Sequence, residues 1–167
     1  PGAGADNAIY AVALQPDDRV VIGGGFSTFN GIGRNFIARL NANGTLDNTF
    51  DPGTGANGPV FAVAVQPDGK VLIGGDFTTV NGVALTNLAR LNANGSVDAS
   101  FIAGTGANST VRSLLVQTDG KILMAGSFTN YAGSAAGRVA RLHATGLLDT
   151  SFNPGGVGAD NAVFYMT

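Results

Sequence analysis

Cysteine, glutamate and tryptophan are missing from the 167 residues, and there is a single histidine, His143. Without cysteine there is no disulfide, no thiolate nucleophile and no cysteine-ligated zinc site. Without glutamate, any pair of carboxylates working as acid and base must come from the eleven aspartates. Charge is scarce too: 12% of the chain is charged, the net charge is -2, and the nine basic side chains are scattered instead of forming a run. That distribution argues against nucleic acid or an anionic membrane as partner. Apolar runs such as Ile9 to Leu14 fall far short of the roughly 18 residues a membrane helix needs, so no membrane span is expected.

What the chain does have is repetition. Gln15-Pro16-Asp17-Asp18 returns as Gln66-Pro67-Asp68-Gly69 and as Gln117-Thr118-Asp119-Gly120, and Arg39-Leu40 returns as Arg90-Leu91 and Arg141-Leu142, at a spacing of 51 residues. A period of this length, built of strand-like segments without a 3.6-residue pattern, reads as the blade of a β-propeller. The expected fold is all-β: a propeller segment of three four-stranded blades at about 8–50, 60–101 and 111–152, with the first strand of a fourth at 161–167. The last junction is one residue longer than the first, since Phe152 to Val163 is eleven positions where Phe50 to Val60 is ten. A closed propeller has four to eight blades, so three and a fragment, opening on Pro1 and stopping inside a strand-like run, are expected to be an excerpt or one part of an assembly.

In the middle copy Val60 to Val65 alternates large and small residues, as a strand covered on both sides does. Pro67-Asp68-Gly69 then supplies turn chemistry. Lys70 to Ile73 resumes the extended pattern and ends in Gly74-Gly75, where absent side chains allow a neighbouring backbone to come close. Phe77 to Thr86 is a polar connection with room for short strand-like pieces, and Asn87 to Leu91 alternates again. Asn94-Gly95 is the favoured pair for a hairpin with positive φ, and Ser96 to Phe101 is expected as the fourth, outer strand.

With the glycine pair closing the second strand, Ile73-Gly74-Gly75 and Ile22-Gly23-Gly24, the unit resembles a kelch blade; the third copy, Met124-Ala125-Gly126, keeps one glycine. It is more similar to the bacterial delta-60 repeat. The middle copy carries that pattern as Ala64-Val65-Gln66-Pro67-Asp68-Gly69-Lys70, then Gly74-Gly75-Asp76-Phe77, then Arg90-Leu91-Asn92 with Gly95, Asp98 and Phe101. The resemblance covers essentially the whole chain. It departs at Thr118, which replaces proline, and at His143-Ala144-Thr145-Gly146, which replaces Asn-Ala-Asn-Gly. The resemblance implies a propeller-like module of large secreted or surface-associated bacterial proteins, and it implies no shared catalytic residues. The low-charge, cysteine-free, Gly/Asn/Thr-rich composition also suits an extracellular or cell-surface setting.

The chemistry on offer is thin. His143 occupies the position of Asn41 and Asn92 and reads as a polar hairpin residue, not as the base of a triad. Asp17, Asp68 and Asp119 form one series and Asp47, Asp98 and Asp149 another; recurrence in every blade points to structure, because an active site needs one copy. Asp17-Asp18 lacks the alternating ligand spacing of a calcium loop, and Gly23-Gly24-Gly25 lacks the lysine and helix of a phosphate loop. No metal, no cofactor and no catalytic residue is expected. Arg39, Arg90 and Arg141 each precede an aspartate by eight residues across a predicted turn, so the pairs Arg39 with Asp47, Arg90 with Asp98 and Arg141 with Asp149 are expected to tie the outer strands. In the long connection, Phe29, Val80 and Tyr131 are equivalent positions with different bulky residues, as are Arg34, Leu85 and Ala136. A binding face would place Phe29, Arg34, Val80 and Tyr131 at a ligand, and packing of the loop on its own blade is the plainer alternative.

The expected function is a non-catalytic structural or interaction module whose partners are further copies of itself or further blades of a longer parent chain. A glycan-binding propeller and the scaffold of a propeller enzyme are the alternatives. Three blades leave two apolar faces uncovered, and the strand-like 161–167 would complete a neighbouring blade by strand addition, in a ring or a filament.

Overall fold

The computed structural model describes residues 2–153 and 157–167, and among them it has fifteen strands and no helix. Each repeat gives a three-stranded antiparallel sheet and a two-stranded hairpin. In the first blade β1 (Ile9–Leu14) pairs with β2 (Val20–Gly24), and β2 pairs on its other side with β5 (Ile37–Leu40); β3 (Thr28–Phe29) and β4 (Ile32–Gly33) form the hairpin. The second blade repeats this with β6 (Val60–Val65), β7 (Val71–Gly75) and β10 (Leu88–Leu91), and with β8 (Thr79–Val80) and β9 (Val83–Ala84). The third uses β11 (Val111–Val116), β12 (Ile122–Gly126) and β15 (Val139–Leu142), with β13 (Asn130–Tyr131) and β14 (Ser134–Ala135) as its hairpin.

Two parts of the expected blade take another form. The fourth, outer strand is reduced to one bridge per blade, Leu40 with Leu46, Leu91 with Val97 and Leu142 with Leu148. The cause is local: Asp47 Oδ1 accepts from the amide and hydroxyl of Thr49, and Asp98 and Asp149 do the same with Ser100 and Ser151, which turns the chain before a ladder can extend. The positive-φ asparagine-glycine turn is also elsewhere. Asn81 and Gly82, at φ 48° and 73°, close the β8–β9 hairpin inside the long connection, whereas at Asn94-Gly95 only the glycine is left-handed.

The inner strands lie side by side, β1 against β6 and β6 against β11, and the core sits between blades. Val21, Ile37 and Phe50 of the first blade share one apolar cluster with Val60, Val71 and Leu91 of the second; Leu72, Leu88 and Phe101 of the second share another with Ile122, Met124 and Tyr131 of the third. A further cluster, Ile22, Phe26, Phe29 and Ala38, lies within the first blade, and lying against a neighbour adds the burial between blades. The segment 161–167, expected as a strand, has no strand structure. Each inner strand takes its ladder from the second strand of its own blade, and among the described residues 161–167 pairs with no such strand. It is nonetheless held on the third blade, with the Ala159 amide donating to the Gly137 carbonyl at 3.1 Å and the Val163 amide to the Gly126 carbonyl at 3.1 Å. The longer junction before it runs through 154–156, outside the described residues.

The glycine pair has two separate jobs. A Cβ at Gly74 would stand 2.6 Å from Val111 Cγ1 of the next blade, a clash of side chains, and the equivalent in the third blade is Ala125, fully buried. A Cβ on the second glycine would instead run into a backbone carbonyl: Ala8 at Gly24, Pro59 at Gly75, Thr110 at Gly126. Those carbonyls are fixed, because they accept from the amides of Gly25, Asp76 and Ser127 at the bulge that opens each inner strand. Glycine is therefore retained at the second position in all three blades. In urea unfolding, Gly74→Ala is expected to cost about 1 to 3 kcal/mol by over-packing and Gly75→Ala distinctly more; equal losses would contradict the division of roles.

Candidate interaction surface

The arginine series is the most engaged set of polar side chains in the chain. Arg39 Nε donates to Asp47 Oδ2 at 2.7 Å, Nη2 to Thr49 Oγ1 at 3.2 Å, and the guanidinium lies over the Phe50 ring at 4.9 Å. Its remaining arm leaves the blade: Nη1 donates to the Ala93 carbonyl in the turn of the second blade at 2.8 Å and approaches Gln15 Oε1 at 3.5 Å. Arg90 repeats every contact, with Asp98 at 2.8 Å, Ser100 at 3.3 Å, Phe101 at 4.7 Å, the Ala144 carbonyl of the third blade at 2.6 Å and Gln66 at 3.4 Å. A backbone strap runs alongside, from the Asp51 amide to the Asn94 carbonyl and from the Ile102 amide to the Thr145 carbonyl, both at 2.8 Å. Both guanidinium groups are buried, so each needs all its partners.

Arg141 has the inner half of this arrangement. Its Nε reaches Asp149 at 2.9 Å and it lies over Phe152 at 4.8 Å, but among the described residues Nη1 has no acceptor. The side chain is 22% exposed, against 4% for Arg39 and 8% for Arg90. Gln117, the counterpart of Gln15 and Gln66, has a buried Oε1 with no partner among the described residues. Beside Arg141 a groove of about 270 Å³, lined by Ala136, Val139, Ala140, Leu148 and Phe152, lies open. At the other end of the array Tyr10, Val12 and Leu14 on β1 are 50%, 64% and 68% exposed, whereas Val63 and Val65, the counterparts of Val12 and Leu14 on β6, pack against the cluster shared with the first blade.

The residues expected at a ligand lie elsewhere. Phe29, Val80 and Tyr131 are buried, because each hairpin folds back onto its own blade and bridges the segment before the inner strand, at Ala5, Ala56 and Ala107. The Tyr131 hydroxyl donates to the Gly146 carbonyl at 2.7 Å, and burial pushes its phenol up. Arg34 is half-buried, with Nη1 on the Gly33 carbonyl at 2.8 Å and Nη2 on Asn48 at 3.2 Å. Loop packing, the plainer reading of these bulky positions, describes them; their differences are differences in core filling. His143 stands exposed in the turn of the third blade.

A second series escaped the sequence reading. Asp6 accepts from the Ser27 amide and hydroxyl and from the Thr28 amide, and Asn57 and Asn108 hold the equivalent hairpins at Thr78 and Thr79 and at Thr129 and Asn130. The Ser27 hydroxyl and the Thr28 amide bring the exposed Asp6 carboxyl down to about 2. A signal was available: Gly4-Ala5-Asp6-Asn7-Ala8 recurs letter for letter as Gly158-Ala159-Asp160-Asn161-Ala162, and it is this second copy that sits on the third blade through Ala159.

Three stretches, residues 15–50, 66–101 and 117–152, match the protein family described as "Domain of unknown function (DUF5122) beta-propeller". The chain belongs to this family. Each matched stretch begins at Gln15, Gln66 or Gln117 and ends at the phenylalanine beneath the arginine, so the family's unit contains the arginine, its aspartate, the hydroxyl and the ring. No curated protein matches the chain.

Burial opposes ionisation of Asp47, but the hydroxyl and amide of Thr49 and the Arg39 guanidinium outweigh it and hold the carboxyl down to about 2 from an ordinary 3.8. Asp98 lies well below the usual carboxylate range for the same reasons, with Ser100, Lys70 and Arg90 as its donors. A depressed folded-state pKa stabilises the fold above the ordinary value, and that contribution is lost as pH falls through the folded value. The urea midpoint should therefore stay level from neutrality to about pH 5 and fall below about pH 4, less steeply in Asp47→Asn; a midpoint rising on acidification would refute this. Asp98→Ala, which leaves Arg90 buried without its partner, should cost about 3 to 5 kcal/mol, and Asp149→Ala less, because water reaches Arg141.

Proposed function

We propose that the chain is a non-catalytic structural and interaction module, a kelch-like propeller segment of the bacterial delta-60 kind from a secreted or cell-surface protein, which works by joining blade to blade. The observation that carries this reading is the contrast between Arg90 and Arg141. Arg90 spends one arm on the next blade's turn carbonyl, and Arg141 presents the same arm, beside an apolar groove, with no acceptor among the described residues. The first blade offers the complementary parts: the exposed side chains of β1 and the turn Asn41-Ala42-Asn43-Gly44, whose Ala42 matches Ala93 and Ala144. Head-to-tail contact between a third blade and a first blade thus extends the interface already present twice inside the chain. The second partner is a further copy or a further blade of a longer parent chain, and such non-reciprocal contacts build rings or filaments.

The non-catalytic reading is supported by the engagement of the polar series. Asp47, Asp98 and Asp149 are each taken by an arginine and a hydroxyl, and Asp6 by its hairpin. The extracellular setting rests on composition and on the resemblance to delta-60 repeats.

Light scattering at micromolar concentration should give a mass above that of one chain, and Leu14→Lys, on the open face of β1, should return the monomer with an unchanged melting temperature. A parent chain that is a monodisperse monomer would refute self-association.

A further inference from the structure

A second feature stands apart from the blade faces. Tyr10, Phe61, Arg112 and Phe164 occupy the same position in successive units, at the start of the inner strands and of the segment that follows the third blade. The Tyr10 and Phe61 rings are 5.2 Å apart, and the Arg112 guanidinium lies 5.3 Å from the Phe61 centroid and 4.9 Å from that of Phe164. They border an open cavity of about 470 Å³, which inner-strand residues such as Ser113 and Leu114 and the stretch from Tyr165 to Thr167 also line, with no carboxylate side chain in its lining among the described residues.

Arg112 is the one basic side chain with neither a hydrogen bond nor an ion pair among the described residues; Arg19, Arg34, Arg39, Lys70, Arg90, Lys121, Arg138 and Arg141 all have one. Its Nε is buried without an acceptor. The aromatic rings satisfy the faces of the guanidinium, but its five N–H donors lie in its plane and the rings cannot accept them there. What matches a free guanidinium edge is a carboxylate, taken by two parallel hydrogen bonds. A single cation neutralises one negative charge, so a dianion such as phosphate would carry an uncompensated charge among aromatic walls. The volume lies within the roughly 300–1,000 Å³ usual for small-molecule sites.

We propose that this cavity binds a small monocarboxylate, with the carboxylate on the edge of Arg112 and a ring-shaped or apolar body against Tyr10, Phe61 and Phe164. A sugar acid and an aromatic acid share that chemistry. Tyr10 belongs also to the exposed side of β1, whereas Phe61 and Arg112 lie on the inner strands of the second and third blades.

The test follows the Arg112 Nε–H resonance and the heat of binding while the full chain is titrated with glucuronate and with benzoate, and separately with glucose and benzyl alcohol as uncharged counterparts. One acid is expected to shift that resonance and to bind at least about tenfold tighter than its counterpart; which acid does so identifies the ligand class. Arg112→Gln should abolish binding, and Arg112→Lys, which keeps the charge without the fork, should weaken it by about tenfold. The proposal is overturned if neither acid moves the resonance at millimolar concentration, if the neutral compounds bind as well, or if Arg112→Gln binds like the parent. Should Arg112→Gln fail to fold, the resonance in the parent and the affinity of Arg112→Lys still decide.

Discussion

One guanidinium shared between two blades is the constraint on which this architecture turns. Arg39 and Arg90 are anchored in their own blade by an aspartate, a hydroxyl and an aromatic ring, and each gives its last arm to a carbonyl of the next. Because the charge is buried, the arrangement has no inexpensive partial form: losing one partner leaves a desolvated ion. Blade spacing, the position of the turn and the path after the aspartate all serve that geometry. The apolar clusters between blades supply most of the burial, but they are less directional; the guanidinium sets the register.

The same aspartate explains why each sheet stops at three strands and a single bridge. A carboxylate can accept from several donors, and Asp47 uses one oxygen for Arg39 and the other for Thr49. The second use caps a turn, and a chain that turns there cannot run on as an outer strand. One carboxylate thus holds the arginine and turns the chain at once, and the turn forms in all three blades.

Much of the fold was legible from the sequence because it rests on short-range chemistry repeated three times. The 51-residue spacing, the Gln-Pro-Asp-Gly turn and the large-small alternation of Val60 to Val65 point to blades without reference to anything distant. Eight residues across a turn suffice to suggest an arginine-aspartate pair. Nothing local suggests the carbonyl of Ala93, 54 residues on from Arg39. Each unit also offers two similar turns, at Asn81-Gly82 and Asn94-Gly95, and the dipeptide alone does not say which is left-handed at both positions. Phe29, Val80 and Tyr131 looked variable in the sequence; in space, variety of size at a buried position is compatible with one fold when the neighbours adjust. Arg112 drew no attention because its meaning lies in Phe61 and Phe164, which are distant in sequence.

The recurring pentapeptide Gly-Ala-Asp-Asn-Ala, at residues 4–8 and 158–162, has an evolutionary consequence. Two identical stretches flanking three complete units are natural crossover points for recombination, and an exchange there inserts or deletes whole triplets of blades in frame. The seam so created joins a third blade to a first, through a junction one residue longer than the two inside the chain. Array length then changes in steps of three blades.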